Sequence, residues 1–452
     1  MTVTVVVSPE GAAAALAGRR GRVLLHSGRD DDGLGRWSFA AAEPHATLIA
    51  RGRSLVRLDA AGRPVRRFTA DPFAAAEEFL AEHGANRTAG DASPPEPRVI
   101  GVFGYDLARV VEKLPGGPRL GNDTPDLWLG AYGAVARWQA GSPSCELAGT
   151  DNAALARLHH ALAVDAKPGA PPRFGPLVAD DDGAHHIARV ERIRDYLAAG
   201  DVYQVNLARR HVATIEVPGD PLAVYLALAA VAPAPYGCVI EADGVTLISG
   251  SPERFLAASG DRIETRPIKG THPLGAGGRE ALAASAKDDA EHLMIVDLER
   301  NDLGRIAKTG SVLVDELGYI VELPALYHKV SRVSAHPRDD AGYAELLRAT
   351  FPGGSITGAP KVRAMELIDE LEPARRGLYC GAFGYFGARG AFELALAIRV
   401  GVIKGDELRV HVGGGIVADS DPAAELAETE TKAAGWRAAL DRLARQGIST
   451  NT

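Results

Sequence analysis

Cysteine is scarce: Cys145, Cys238 and Cys380 are the only three in 452 residues. They lie too far apart for a disulfide framework or for the paired spacing of a zinc site, and a reducing cytoplasm is the expected compartment. A basic run is also missing, as is any ribbon of basic and aromatic residues. The balance of 50 basic against 58 acidic residues gives a net charge of −8, which excludes nucleic acid as the main partner. Residues 1–7 are apolar but short and carry no basic flank, so they do not read as a secretory signal. No membrane-length apolar run is uninterrupted. Residues 221–240 hold no charged side chain, but Pro233, Pro235 and Gly237 break them. That pattern predicts a buried helix, a turn and a strand rather than a membrane span. No internal repeat is evident.

What is present is ordinary for a soluble globular protein, with 46% hydrophobic and 24% charged residues. The length allows a large core and more than one sub-domain. Residues 1–150 alternate short β-like runs with turns, and a polar, proline-rich connection covers about 141–182. From 185 the pattern sharpens. Helices are predicted over 186–199, 280–305, 343–350, 361–371 and 421–445. Strands are predicted over 202–212, 245–249, 254–258, 381–387, 391–403 and 408–412. Strands in succession with helices attached predict an α+β fold: two large, mainly antiparallel sheets packed face to face, with helices outside.

Several stretches bear chemistry. In Arg266-Pro267-Ile268-Lys269-Gly270-Thr271-His272 a lysine sits between a proline that restricts the backbone and a glycine that permits close approach. It is either a solvated cation or an activated amine. Asp288 with Glu291, and Glu425 with Glu428, are acidic pairs at i, i+3 spacing, which places each pair on one helix face. Two such pairs suit a hard divalent cation, and equally suit solvated helix N-terminal turns. Gly413, Gly414 and Gly415 follow a strand; they read as a tight turn or as a backbone nest for an anion. Arg399 stands in an apolar strand, where a buried guanidinium needs an anionic partner. Lys432 follows Glu428 by four residues, for an ion pair or a shared ligand.

Taken in order, these stretches form a recognisable set. Ser251-Pro252-Glu253-Arg254-Phe255, the Lys269 segment, the helix bearing Glu291, Arg300-Asn301-Asp302-Leu303-Gly304-Arg305, Phe351-Pro352-Gly353-Gly354-Ser355-Ile356-Thr357-Gly358-Ala359-Pro360-Lys361, the glycine triplet and Glu428-Thr429-Glu430-Thr431-Lys432 follow one another. The chain resembles the chorismate-utilising enzymes, and among them the aminodeoxychorismate synthase component I branch. The likeness is strong over 185–445, the chorismate-binding catalytic region. It is weaker over 1–150, a region similar to the start of anthranilate synthase component I, where Leu24-Leu25-His26-Ser27-Gly28 carries it.

The resemblance implies a role for each residue. Lys269 would attack carbon 2 of chorismate, and Glu253 would protonate the departing carbon-4 hydroxyl. Thr271 and His328 would line the pocket. Tyr385, Arg399, Gly413, Gly414, Gly415 and Lys432 would bind substrate. Glu291 and Glu428 would hold Mg²⁺, with Asp288 and Glu425 as an outer pair; relatives more often have glutamate at the Asp288 position. Ammonia would then give 4-amino-4-deoxychorismate, for 4-aminobenzoate and folate or a related secondary metabolite. No glycine-rich segment with a nucleophilic cysteine and partner histidine is seen, so a separate glutamine amidotransferase subunit is the expected ammonia source. The alternatives are an anthranilate synthase large subunit, in which alanine typically replaces Lys269, and a non-catalytic chorismate-binding homologue. Gln204 stands where water-adding relatives carry a lysine base, which argues against isochorismate synthesis.

Overall fold

The computed structural model describes residues 3–28, 33–86, 93–116, 123–323 and 326–449. Their strands form a 13-stranded and a 12-stranded sheet built from antiparallel pairs. The larger sheet runs from Val3–Val5 at one edge, through Val23–His26, Tyr236–Glu241 and Val245–Ser251, to Val400–Lys404, Glu407–Ile416 and Gln204–Val217. The second runs from Ile268–Pro273 and Leu326–Ala335, through Arg254–Ser259, Phe392–Leu396 and Ala382–Gly387, to Pro97–Phe103 and finally Pro64–Thr69. Residues 3–149 supply strands to both sheets. Two pairings join them to the rest: Val23–His26 with Tyr236–Glu241, and Pro97–Phe103 with Ala382–Gly387.

Period-two alternation decides what each strand buries. In Tyr236–Glu241, Cys238 and Ile240 join an inner layer with Leu25, Phe39, Val99, Phe103, Leu129 and Phe383, drawn from both sheets. Val239 points the other way, into a second cluster. There Ile248, Leu408 and Val410 meet Leu222 and Tyr225 of the helix Pro221–Val231, and Trp436, Leu440 and Leu443 of the helix Pro422–Ser449. Both faces are covered, so the central strands are apolar throughout. Each fully buried side chain of this size contributes roughly 1.5–3 kcal/mol. The expected face-to-face sheets with outer helices are what the chain forms.

The charge-free stretch 221–240 resolves into the helix Pro221–Val231 and the strand Tyr236–Glu241. Asp220 caps that helix, accepting from the Leu222 amide at 3.0 Å. Among the described residues, no helix is long and apolar enough to cross a membrane.

Three expectations are corrected. The helix expected over 280–305 is two, Gly278–Ala283 and Ala286–Gly304, because the Ser285 hydroxyl accepts from the Asp288 amide and starts the second afresh. The single strand expected over 391–403 is Phe392–Leu396 in one sheet and Val400–Lys404 in the other. The glycine triplet forms neither turn nor nest. It continues the strand Glu407–Ile416, with Gly413, Gly414 and Gly415 opposite Ala208, Leu207 and Asn206.

Candidate active site

The site is built where the chain passes from one sheet to the other. Val245–Ser251 pairs with Val400–Lys404 in the larger sheet, and Arg254–Ser259 pairs with Phe392–Leu396 in the second. The two crossings between them, Pro252-Glu253 and Ala397-Ile398-Arg399, therefore lie side by side. They are tied together by Leu396 N–H donating to the Glu253 carbonyl at 3.0 Å and Gly250 N–H to the Arg399 carbonyl at 3.2 Å. Strands that change sheets form corners, and this corner carries an acid and an arginine. Arg399 takes the turn in the left-handed region, φ 52. Its side chain is exposed rather than buried as its apolar surroundings suggested, and among the described residues no carboxylate pairs with it.

Lys269 reaches the corner from the edge of the second sheet. Pro267 interrupts the strand, so Arg262–Arg266 and Ile268–Pro273 pair with successive stretches of Leu326–Ala335. A register shift between Ile268 and Thr271 makes Lys269 and Gly270 a bulge, a device that re-aims a side chain. Gly270 has φ 85, and a Cβ there would stand 3.0 Å from Leu282 and 3.3 Å from Asp288. The lysine thus lies in a strand bulge at the edge of the sheet.

Ser355 joins the two groups. It lies in the short 3₁₀ turn Gly354–Ile356. Lys269 Nζ donates to its carbonyl at 2.9 Å, and its hydroxyl donates to Glu253 Oε1 at 2.8 Å. Burial pushes the Glu253 carboxyl above the usual carboxylate range, against the pull of Lys269, Ser355 and Arg399. Burial also lowers the Lys269 ammonium, opposed by Glu253 and reinforced by Lys432. Both shifts favour a neutral acid beside a neutral amine.

Around this pair, Thr271 Oγ1 and His328 Nδ1 are 2.9 Å apart, and His328 Nε2 has no hydrogen-bond partner among the described residues. Gln204 is buried against the strand bearing Gly415, and among the described residues neither of its amide atoms finds a hydrogen-bond partner. Lys432 Nζ donates to the Gly413 carbonyl at 2.6 Å and lies 2.6 Å from Glu428 Oε1. A Cβ at Gly414 would stand 3.2 Å from Glu425 Oε2 and 3.3 Å from Glu428 Oε1, so the bare glycine leaves these carboxylates room to lie against the strand. Glu291 is close enough to act on Lys269 electrostatically, and Asp288 packs against Gly270. Among the described residues, no three carboxylate, histidine or cysteine side chains close on one metal-binding point.

Tyr385 is not brought to this cluster. It lines a separate inter-sheet cavity with Leu25, His26, Ser27 and Pro235, its ring 4.9 Å from Phe39. The tyrosine beside the crossing is Tyr379. The next residue, Cys380, donates its amide to Ala397 O at 2.8 Å, and the Tyr379 ring stacks on His411 at 5.2 Å. The sequence motif holds Ser355 but assigns it no role; its signal was a hydroxyl directly after a pair of glycines.

Burial lowers His328 to about 4, with Arg399 adding to it, and lowers His186 and His292 likewise to about 4. As pH falls below 6.5 the unfolded chain takes up these protons before the folded one, so stability is lost between about pH 6.5 and 4. Glu299, raised to about 7 by burial, works the other way over part of that range and offsets only part of the loss. Urea melts should show a lower midpoint at pH 5 than at pH 7; an unchanged or higher midpoint would contradict the burial of these rings.

The family model described as chorismate binding enzyme matches residues 23–437. Aminodeoxychorismate synthase component 1 of Escherichia coli (strain K12) is 38% identical over 422 residues, 91% of each chain. Anthranilate synthase component 1 of Pseudomonas aeruginosa is 37% identical over 445 residues, covering 90% of this chain and 88% of that one. Among solved structures, anthranilate synthase component I from Streptococcus pneumoniae TIGR4 superposes with a TM-score of 0.76 at 28% identity, over 89% of this chain and 92% of that one. The chain belongs to the chorismate binding enzyme family.

Proposed function

We propose that this chain aminates chorismate at carbon 4, with ammonia supplied by a separate glutamine amidotransferase subunit, and releases 4-amino-4-deoxychorismate. The observation that carries this reading is the Lys269–Ser355–Glu253 arrangement: an amine with a depressed pKa and an acid with a raised one, held on one serine. Neutral Lys269 attacks carbon 2 as Glu253 gives its proton to the carbon-4 hydroxyl. A C–N bond forms, the C–O bond breaks, the ring double bond shifts and water leaves. Ammonia then attacks carbon 4, the double bond shifts back, and the electron pair of the carbon 2–nitrogen bond returns to Lys269. Glu253 regains a proton from the new ammonium group. Arg399, open and unpaired, suits a substrate carboxylate.

Identity alone does not separate this reading from an anthranilate synthase, since the relatives named for the two activities lie at 38% and 37%. Lys269 favours amination at carbon 4. Incubating the protein with chorismate, ammonium and Mg²⁺ and weighing the product tests the reading. Addition of a lyase that forms 4-aminobenzoate should consume that product. Anthranilate as the main product would overturn the proposal.

The carboxylates suit Mg²⁺ by type, since a hard cation takes oxygen donors, and the Lys432 ammonium on Glu428 shows that one of them already faces a cation. Glu291 and Glu428 would hold the ion, with Asp288 and Glu425 acting through water. When bound, it would supply Lewis-acid polarisation of the ring carboxylate. Glu428→Gln should lower activity at limiting Mg²⁺ by at least about 10-fold, with partial recovery at high Mg²⁺. Undiminished wild-type activity in excess chelator would sink the idea.

A further inference from the structure

We infer that Glu299 is a positioning residue: with the Asp302–Lys361 pair it clamps the segment 350–356, so that Ser355 presents its carbonyl to Lys269 and its hydroxyl to Glu253. This deepens the proposed amination and rests on it for the catalytic readout, but the clamp itself is a matter of geometry.

Glu299 and Asp302 lie on the helix Ala286–Gly304, each 3% exposed. Glu299 Oε1 accepts from the Gly354 amide at 2.9 Å, one residue before Ser355. Lys361, from the helix Lys361–Leu371, pairs with Asp302 and also donates to the carbonyls of Thr350 (3.2 Å) and Pro352 (2.8 Å). The segment is thus gripped at its start by Lys361 and at its turn by Glu299. Packing leaves it no slack, since a Cβ at Gly354 would stand 2.8 Å from Leu298 and 2.9 Å from Glu299 Oε1.

The arrangement makes little sense as a device for stability. Buried ionisable groups are commonly no more stabilising than apolar residues of similar volume, and Glu299 Oε2 is buried without a hydrogen-bond partner among the described residues. What the cluster specifies is where Ser355 sits. The charged groups facing Glu299 are Asp302 on its own helix, Lys361 from the helix Lys361–Leu371 and Glu253 from the crossing. Burial pushes Glu299 up to about 7, with Asp302 adding to it. A neutral amide of the same shape should therefore replace it well.

The test compares Glu299→Gln with Glu299→Ala in the full-length protein. Two readouts are taken: steady-state kinetics with chorismate and ammonium, and the rate at which acetic anhydride labels Lys269, followed by peptide mass. The Gln variant, which keeps an acceptor for Gly354, should match wild type within about 3-fold in both. The Ala variant should lose about 100-fold in kcat with little change in KM, as expected when a reacting group is displaced by about 1 Å. Its Lys269 labelling should change by more than about 5-fold in rate. Where the Ala variant does not fold, Glu299→Leu keeps the volume without the acceptor and takes its place. If the variant without an acceptor labels and turns over like the Gln variant, the clamp is overturned. If labelling separates the variants while wild type aminates nothing, the clamp stands and the proposed function fails.

Discussion

Glu253→Gln should cost about 10²–10⁴-fold in kcat, the usual worth of a general acid, with KM for chorismate nearly unchanged. The amide can still accept from the Ser355 hydroxyl and the Ile268 amide, at 2.8 and 3.4 Å from Glu253 Oε1, so the pocket keeps its shape. What it loses is the proton for the leaving hydroxyl. The pH profile supplies a second check. Because burial raises Glu253, the acid form persists above the ordinary carboxylate range, and wild-type activity should fall as pH rises through that raised value. Lys269 must be the free amine, and its lowered pKa makes this possible without strong alkali. The two groups share one site, so the limbs of the profile belong to the pair rather than to either residue. The Gln variant should lack the limb that Glu253 sets. A variant retaining wild-type kcat, or the same descending limb, would remove Glu253 from the acid role.

Local structure was legible wherever local rules act alone. The helices Tyr343–Thr350 and Lys361–Leu371 begin and end where periodicity and Pro360 put them. Legibility failed where one apolar run serves two sheets. Residues 392–404 contain no proline, and Arg399 alone breaks the apolar run near the crossing at Ala397-Ile398-Arg399, where it reads as a buried charge rather than as a break. Only pairing with distant strands divides the run. The same fact hid the accessibility of Arg399, since an arginine amid Ala, Leu and Ile looks buried until the corner sets it beside Glu253 and His328, open to solvent. The order of the strands, set by contacts such as Val99 opposite Phe386, is not local information either. At the site, motif order brought Lys269 and Glu253 forward, and the structure links them through Ser355. It gave no means of choosing between Tyr379 and Tyr385, because both stand in the same apolar stretch. One flanks the crossing; the other faces the inter-sheet cavity.

Lys269→Ala should change the product rather than abolish chemistry. In the wild type, withholding ammonia stops the second displacement. An adduct between chorismate, less water, and the enzyme should then accumulate, visible as a rise in intact mass and mapped to Lys269. The Ala variant should form none. Removing the side chain leaves carbon 2 open to the incoming amine, while Glu253 still protonates the departing hydroxyl and Arg399 still offers its guanidinium. Ammonia should therefore add at carbon 2, giving 2-amino-2-deoxyisochorismate or anthranilate in place of the carbon-4 amine. The gap at 269 is small and lies on the half-buried strand Ile268–Pro273. The lost Nζ contact with the Ser355 carbonyl is a single hydrogen bond of a neutral amine, worth about 0.5–1.5 kcal/mol net, so the fold should survive. Product identity by mass and chromatography decides the matter. If the Ala variant still makes 4-amino-4-deoxychorismate at the wild-type rate, Lys269 is a bystander. The case for amination at carbon 4 over anthranilate formation would then lose its main support.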